Sequence, residues 1–177
     1  MKGLKDKVII VTGGAGGIGS ATCRRLAEEG AKVAIFDMNI AAAEQLAQDI
    51  NQQNNQALAV QCDITDRDVV EQAVQQVEAE LGPIDGLVNN AGWDIFKPFV
   101  KTNPQEWDKL IQINLVGMLN MHFAVLKGMV ERNSGSIVNI ASDAARVGSS
   151  GEAVYAACKG GLLSFSKTLA REHSRHN

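Results

Sequence analysis

Residues 12–19 read Thr-Gly-Gly-Ala-Gly-Gly-Ile-Gly. The apolar run Val8-Ile9-Ile10-Val11 precedes them, and a stretch able to be helical, from Ser20 to Ala27, follows. A buried strand, a glycine turn and a helix start suit a phosphate-binding site. Glycines let the backbone come close to a pyrophosphate, and free N–H groups with the helix dipole attract its charge. Two registers fit. Gly14, Gly16 and Gly19 match G-x-G-x-x-G, whereas Gly13, Gly17 and Gly19 after Thr12 match T-G-x-x-x-G-x-G. A flexible turn between strand and helix is the plain alternative, and the rest of the chain must decide.

Outward from this stretch, strand and helix patterns alternate. Short apolar runs at 7–11, 31–37, 56–61, 84–88 and 136–140 read as strands. Helical spacing marks 18–29, 41–53 and a segment from Asp66, a predicted N-cap, to the Gly82-Pro83 stop. A long helix is predicted from Pro104, with Trp107, Leu110, Ile111 and Leu115 on its apolar stripe, and a last helix over 152–171. This order implies βαβ units with right-handed crossovers. The expected fold class is α/β: a Rossmann-type doubly wound parallel sheet with helices on both faces. One nucleotide-binding domain over 1–177 is expected. A parallel sheet whose last element is a helix predicts a domain lacking its C-terminal strands.

Composition bounds the function. The chain is 45% hydrophobic and 21% charged, with net charge −3, which fits a globular protein and argues against nucleic acid or anionic membranes as partners. No wholly apolar run reaches the ~20 residues of a membrane span. Cys23, Cys62 and Cys158 are widely spaced and odd in number, read as reduced thiols of a cytoplasmic protein. His122, His173 and His176 form no ligand pattern, so no metal is expected.

Several residues carry chemistry. Asp37 ends the second strand about 20 residues after the glycines, where a carboxylate accepts hydrogen bonds from ribose hydroxyls and repels a 2′-phosphate. No Arg or Lys lies in the glycine loop or directly after Asp37, which favours NAD over NADP; capping the next helix is its structural alternative. Asp63 follows the third strand, placed to bond adenine or to cap a turn. Asn89-Asn90-Ala91-Gly92 follow the fourth, at the edge where ligands bind in such sheets. Tyr155, the only tyrosine, and Lys159 are four apart on one helix face. An ammonium near a phenol, with a cationic nicotinamide ring, lowers its pKa and suits it to move a hydroxyl proton. Ser142, closing the fifth strand, is placed to hold the substrate oxygen.

TGGAGGIG, NNAG, Ser142 and YAACK, in this order, resemble the short-chain dehydrogenase/reductase family. The resemblance spans essentially the whole chain and selects the second glycine register. It implies Gly13, Gly17, Ile18 and Gly19 as cofactor residues, Asp37 as the selector of NAD, and Asp63 and Ile64 beside adenine. Asn90, Ala91 and Gly92 would line the cofactor cleft. Asn114, otherwise an ordinary polar helix residue, would join Ser142, Tyr155 and Lys159 in a catalytic tetrad, with Tyr155 and Lys159 also touching the cofactor. In the family a further strand and a Pro-Gly loop follow the Tyr-Lys helix.

The stretches NNAGWDIFKPF and IVNIASDAARVGSSGEAVYAACKGGL resemble the branch of that family that oxidises 2-hydroxycyclohexanecarboxyl-CoA. This implies NAD-dependent oxidation of a secondary alcohol on a hydroxyacyl-CoA thioester. Trp93, Asp143, Arg146 and Ser149 are the expected substrate residues, with Ile95 and Phe96 as further apolar walls. A surface ion pair is the alternative for Arg146. Family members commonly form dimers or tetramers, so a homo-oligomer is expected. Two rival readings stay open: a 3-oxoacyl-carrier-protein or acyl-CoA reductase, and a non-catalytic nucleotide-binding module.

Overall fold

The computed structural model describes residues 3–176. Met1, Lys2 and Asn177, included in the expected 1–177 domain, lie outside the described residues. Five parallel strands form one sheet in the order β3-β2-β1-β4-β5: β1 Val8–Thr12, β2 Lys32–Asp37, β3 Gln56–Gln61, β4 Ile84–Asn89 and β5 Ser136–Asn139. This is the expected Rossmann-type sheet. Every strand bounds predicted from pattern agree within one or two residues, the ordinary uncertainty of element ends.

Helices cover both faces, and that is why β1 is apolar at nearly every position. On one face α1 (Gly17–Glu28) and α2 (Ile40–Asn51) bury Cys23, Ala27, Ala43, Leu46 and Ile50 against Ile9, Val11, Val33 and Ile35. On the other, α3 (Arg67–Glu80) and α5 (Gly117–Glu131) bury Val70, Val74, Val77, Met121 and Val125 against Ile10, Phe36, Val60 and Leu87. Local signals set the ends. Gly30 follows α1 at φ +85°, and its N–H and that of Ala31 bond the last carbonyls of the helix. Asp66 caps α3 through Asp68 and Val69 N–H, as predicted.

The long helix differs from a uniform one. It begins as α4 (Pro104–Ile111) with an Asn103–Glu106 capping box and Pro at its start. It then passes through a π-helical segment, Gln112–Val116, before continuing as α5. Its 28 residues have the length and hydropathy of a membrane span, as the core helix of a folded domain also does; Met118, Met121, Val125 and Met129 are buried in this one. A short helix not anticipated from pattern, α6 (Ala144–Val147), precedes α7 (Ala153–Glu172).

β1 lies between β2 and β4, so the chain direction across the sheet reverses there. Ligands in such sheets bind at this switch point, outside the carboxyl ends of the strands. The glycine loop, the Asn89–Gly92 turn and the end of β2 all emerge at that place.

Candidate active site

A cleft of about 900 Å³ opens at the switch point. Gly13, Gly16, Gly17, Ile18 and Gly19 form one wall, and Asn90, Ala91, Gly92 and Trp93 another. Asp37, Asp63 and Ile64 close its far end. Every predicted cofactor residue except Tyr155 and Lys159 therefore lines one cavity.

The glycines have separate reasons. Gly13 holds φ +60°, a conformation costly for any residue with a Cβ. A Cβ on Gly19 would stand 2.1 Å from the Gly13 carbonyl oxygen, and one on Gly14 would stand 2.8 Å from Ile35 Cγ2. Gly14 is thus a packing glycine rather than merely a permissive one. A Cβ on Gly17 would meet no protein atom within 4 Å, although the residue lines the cleft. Nothing in the protein demands glycine there, so the open space suits a ligand's close approach. Together these facts favour Gly13, Gly17 and Gly19 as the meaningful register.

Thr12 fixes the loop to the neighbouring strand. Its buried hydroxyl accepts from the N–H groups of Asn90 and Ala91, both at 3.0 Å. The Asn90 amide donates to the carbonyls of Thr12 and Gly13 at 3.0 and 3.1 Å. Asn90 is thereby a brace for the loop as well as a cleft wall. A threonine ending a strand gives no sequence signal of this kind.

Asp37 does not cap α2; Asn39 does, accepting from Ala42 N–H. The Asp37 carboxylate instead accepts from Ala15 N–H at 3.0 Å and Asn39 N–H at 2.9 Å, which holds it beside the glycine loop. Asp63 takes the turn role: it accepts from the Thr65 N–H and hydroxyl at 2.9 and 2.7 Å while still lining the cleft. Lys109, Gln112 and Ile113 also line the cleft, and the sequence reading missed them. Their helical spacing ahead of Asn114 was the available signal. Lys109 lies 4.1 Å over the Trp93 ring.

Asn114 sits in the π-helical segment, a feature frequent at functional sites, and is buried. Its amide donates to Trp93 O at 2.7 Å and Leu110 O at 3.0 Å, and its oxygen accepts from Trp93 N–H at 3.2 Å. Lys159 is also buried, with Nζ donating to Ile140 O at 2.8 Å; burial pulls its pKa down. Both side chains reach the Gly92 turn, within 3.0 and 3.8 Å of the point a Cβ there would occupy.

Tyr155 lies one turn before Lys159, whose ammonium is 5.6 Å from the centre of its ring. The expected lowering of the phenol pKa is not found in this state. Burial pushes Tyr155 up from 10.0, and the nearby Asp94 and Glu152 carboxylates add to that; a side-chain hydrogen bond from Ser142 acts the other way. Lys159 spends its donor on Ile140 instead of the phenol. The four predicted catalytic residues are thus linked to one another beside the Gly92 turn.

The expected substrate residues divide. Trp93 lines the cleft, whereas Asp143, Arg146 and Ser149 do not. Arg146 pairs with Asp143 at 3.0 Å, both well exposed, which is the surface-pair alternative. Phe96 is 77% exposed and packs near Gly151, beside the helix start that carries Tyr155. The three cysteines are free and buried, and no group able to hold a metal occurs among the described residues.

Comparison with known proteins agrees with this geometry. Residues 7–177 match the family model described as short chain dehydrogenase. An acetoacetyl-CoA reductase of Synechocystis is 40% identical over 174 residues, covering 98% of this chain and 68% of the relative. A D-threitol dehydrogenase of Mycolicibacterium smegmatis is 41% identical over 169 residues, covering 96% of this chain and 65% of the relative. A solved NAD+-bound xylitol dehydrogenase superposes with a TM-score of 0.95 at 35% identity, over 99% of this chain and 68% of that one. The chain thus spans about two thirds of the length of these proteins. A glycine loop at the switch point, a Ser-Tyr-Lys cluster beside the Gly92 turn and these matches have one explanation: the chain belongs to the short-chain dehydrogenase family, oxidoreductases acting on CH–OH groups.

Proposed function

We propose that the protein oxidises a secondary alcohol to a ketone with NAD, its substrate a hydroxyacyl-CoA thioester like 2-hydroxycyclohexanecarboxyl-CoA. The observation that carries this reading is the convergence of Asn114, Ser142, Tyr155 and Lys159 beside the Gly92 turn, which is itself part of a cleft walled by the glycine loop. The residues fit a dinucleotide. Gly17 leaves room for close approach, and Gly13, Ile18 and Gly19 flank it. Asp37 would take the adenine ribose hydroxyls, Asp63 and Ile64 would border adenine, and Asn90, Ala91 and Gly92 would form the inner wall. Asp37 and Asp63 at that end oppose a 2′-phosphate. The NAD+-bound state of the xylitol dehydrogenase supports the same preference.

NAD, when bound, supplies the hydride acceptor. Tyr155 takes the hydroxyl proton, and Ser142 holds the alcohol oxygen. Lys159 would hold the nicotinamide ribose and favour the phenolate, and Asn114 would support proton movement behind it. Trp93, Ile95 and Phe96 offer apolar surface to an alicyclic ring. Asp143, Arg146 and Ser149 contribute from the rim around α6. The resemblance to 2-hydroxycyclohexanecarboxyl-CoA dehydrogenase over NNAGWDIFKPF and IVNIASDAARVGSSGEAVYAACKGGL supports this substrate. A cytoplasmic homo-oligomer, dimer or tetramer, built from single Rossmann-type domains, is part of the same proposal.

Replacing Tyr155 with Phe tests it. NAD-linked turnover should fall by roughly 10²–10⁴-fold, the usual worth of a positioned proton acceptor; unchanged turnover would overturn the assignment. NAD should also bind at least about tenfold more tightly than NADP, a gap of ~1.4 kcal/mol; the reverse order would remove the role given to Asp37. The second reading, a 3-oxoacyl thioester reductase, draws support from the acetoacetyl-CoA reductase and from a Chlamydia muridarum 3-oxoacyl-carrier-protein reductase at 38% identity over 175 residues. The same residues would then donate the proton, and cofactor preference separates the two.

A further inference from the structure

Next to the site, a chain of buried and half-buried polar groups joins β4, β5, α5 and α7. Asn89 and Asn139 face each other across the β4–β5 pair. His122 of α5 and Ser166 of α7 complete the set. Asn89 and His122 are 5% and 3% exposed.

Two main-chain carbonyls anchor the two ends of this chain. The Ser166 hydroxyl donates to Leu162 O at 2.7 Å, so its oxygen must accept from Asn139 Nδ2 at 2.9 Å. That orients the Asn139 amide. Its Oδ1 then accepts from Asn89 Nδ2 at 2.9 Å, and its Nδ2 lies 3.3 Å from His122 Nε2. A donor facing Nε2 requires that nitrogen to be an acceptor. From the other end, His122 Nδ1 lies 2.8 Å from Met118 O, which can only accept, so Nδ1 carries the hydrogen. Both ends demand the same neutral tautomer. Asn89 Nδ2 gives one hydrogen to Asn139 Oδ1 and lies 3.2 Å from His122 Nδ1, itself a donor in this tautomer.

The chain ends one residue from the catalytic cluster. Ile140 follows Asn139; its N–H bonds Asn89 O at 2.9 Å and its carbonyl holds Lys159 Nζ. Ser166 is seven residues after Lys159, on the same face of α7. We propose that His122 is a positioning residue: its Nδ1–H tautomer locks Asn139 and Asn89, and through them sets the Ile140 carbonyl that aims Lys159 at Tyr155. This rests on the catalytic reading of Lys159 given above. A proton added at Nε2 would face the Asn139 amino group, and relieving it by an amide flip would break the bonds to Ser166 and Asn89. Lock and charge therefore exclude each other. The charged or titratable groups around the ring are Arg67, His173 and His176, with Phe165 edge-on at 5.0 Å; no carboxylate lines the cavities His122 borders. Burial disfavours an imidazolium here, with the Met118 carbonyl acting the other way.

The test uses His122→Phe, which keeps ring bulk without an acceptor, and His122→Gln, which returns one. Nitrogen NMR of the intact chain should show His122 as the neutral Nδ1–H form at pH 7. In His122→Phe, kcat should fall roughly tenfold with NAD affinity within twofold, and His122→Gln should recover most of it. The Lys159 Nζ signal should shift in the Phe variant and return in the Gln variant, a readout that needs no turnover. Ser166→Ala, which removes a partner without touching the ring, should shift the same signal if His122→Phe does not fold. An Nε2–H or charged ring, an unmoved Lys159 signal or an unchanged kcat each overturns the proposal. A chain without NAD turnover whose Lys159 signal still follows His122 would fail the catalytic reading while leaving the positioning role standing.

Discussion

β1 and β2 bury almost every side chain between two helical layers, whereas β5, at the far edge of the sheet, leaves Ser136 and Val138 exposed. The first pair is held by dispersion and by apolar surface withdrawn from water. The other is held in large part by the amides of Asn89 and Asn139, the His122 ring and the Ser166 hydroxyl. Apolar packing tolerates conservative exchange and is indifferent to pH. A polar chain with one permitted proton arrangement tolerates neither. The strands under the nucleotide half of the proposed site thus rest mainly on the first kind of support, with the Thr12–Asn90 clamp fixing the loop above them, and the catalytic half draws on the second.

The largest expected effect breaks the comparison at its apolar end. Ile10→Ala, at a fully buried position, should cost about 3 kcal/mol in denaturant unfolding. Val138→Ala, half exposed on β5, should cost less than about 0.5 kcal/mol. Equal costs would erase the distinction. Next come two glycines of one loop. Gly19→Ala forces a Cβ against the Gly13 carbonyl and should cost about 2 kcal/mol as well as NAD binding. Gly17→Ala should leave the melting temperature unchanged and weaken only NAD binding, as calorimetric titration would show, because its Cβ meets ligand space alone.

The smallest effect sharpens the polar end. Burial holds the His122 pKa below its ordinary 6.5, so the unfolded chain binds the proton first. The stability of the neutral ring is present above pH 6.5 and is lost as pH falls from there toward the folded-state value. Melting temperatures measured across this window should show that slope in the wild type and a flatter one in His122→Gln. Parallel curves would assign the acid sensitivity to other groups.

How much was legible in the sequence follows the same division. The strands and helices of the apolar half were readable because period and composition state burial directly: Val8 to Val11 could hardly be anything but a covered strand. Tyr155, Lys159 and Ser142 were readable as a set, and Asn114 only through family resemblance, since one polar residue in a helix carries no spacing signal. The Thr12 clamp, the Asn39 cap and the His122 chain were not readable. Each depends on partners between 3 and about 80 residues away meeting in three dimensions, and none repeats. The upward push on the phenol from the protein's own groups was not readable for a related reason. Tyr–Lys spacing states adjacency but not that Lys159 would bond a carbonyl of β5's end, nor that Asp94 and Glu152 would stand close.

The π-helical segment has a further consequence for how this chain can change. An α-helix turns about 100° per residue, so the added residue resets the phase between its two halves. Lys109 before it and Gln112 at its first position line the cleft; after it, Met118, Met121 and Val125 are buried in the core. One rod thereby walls a ligand cavity and a hydrophobic core with faces that a regular helix would misalign. Deleting a single residue within 112–116 would rotate the whole of α5 by about 100° and swing its apolar stripe off the sheet. The segment is therefore constrained in length, as well as in composition at Asn114 with its three hydrogen bonds.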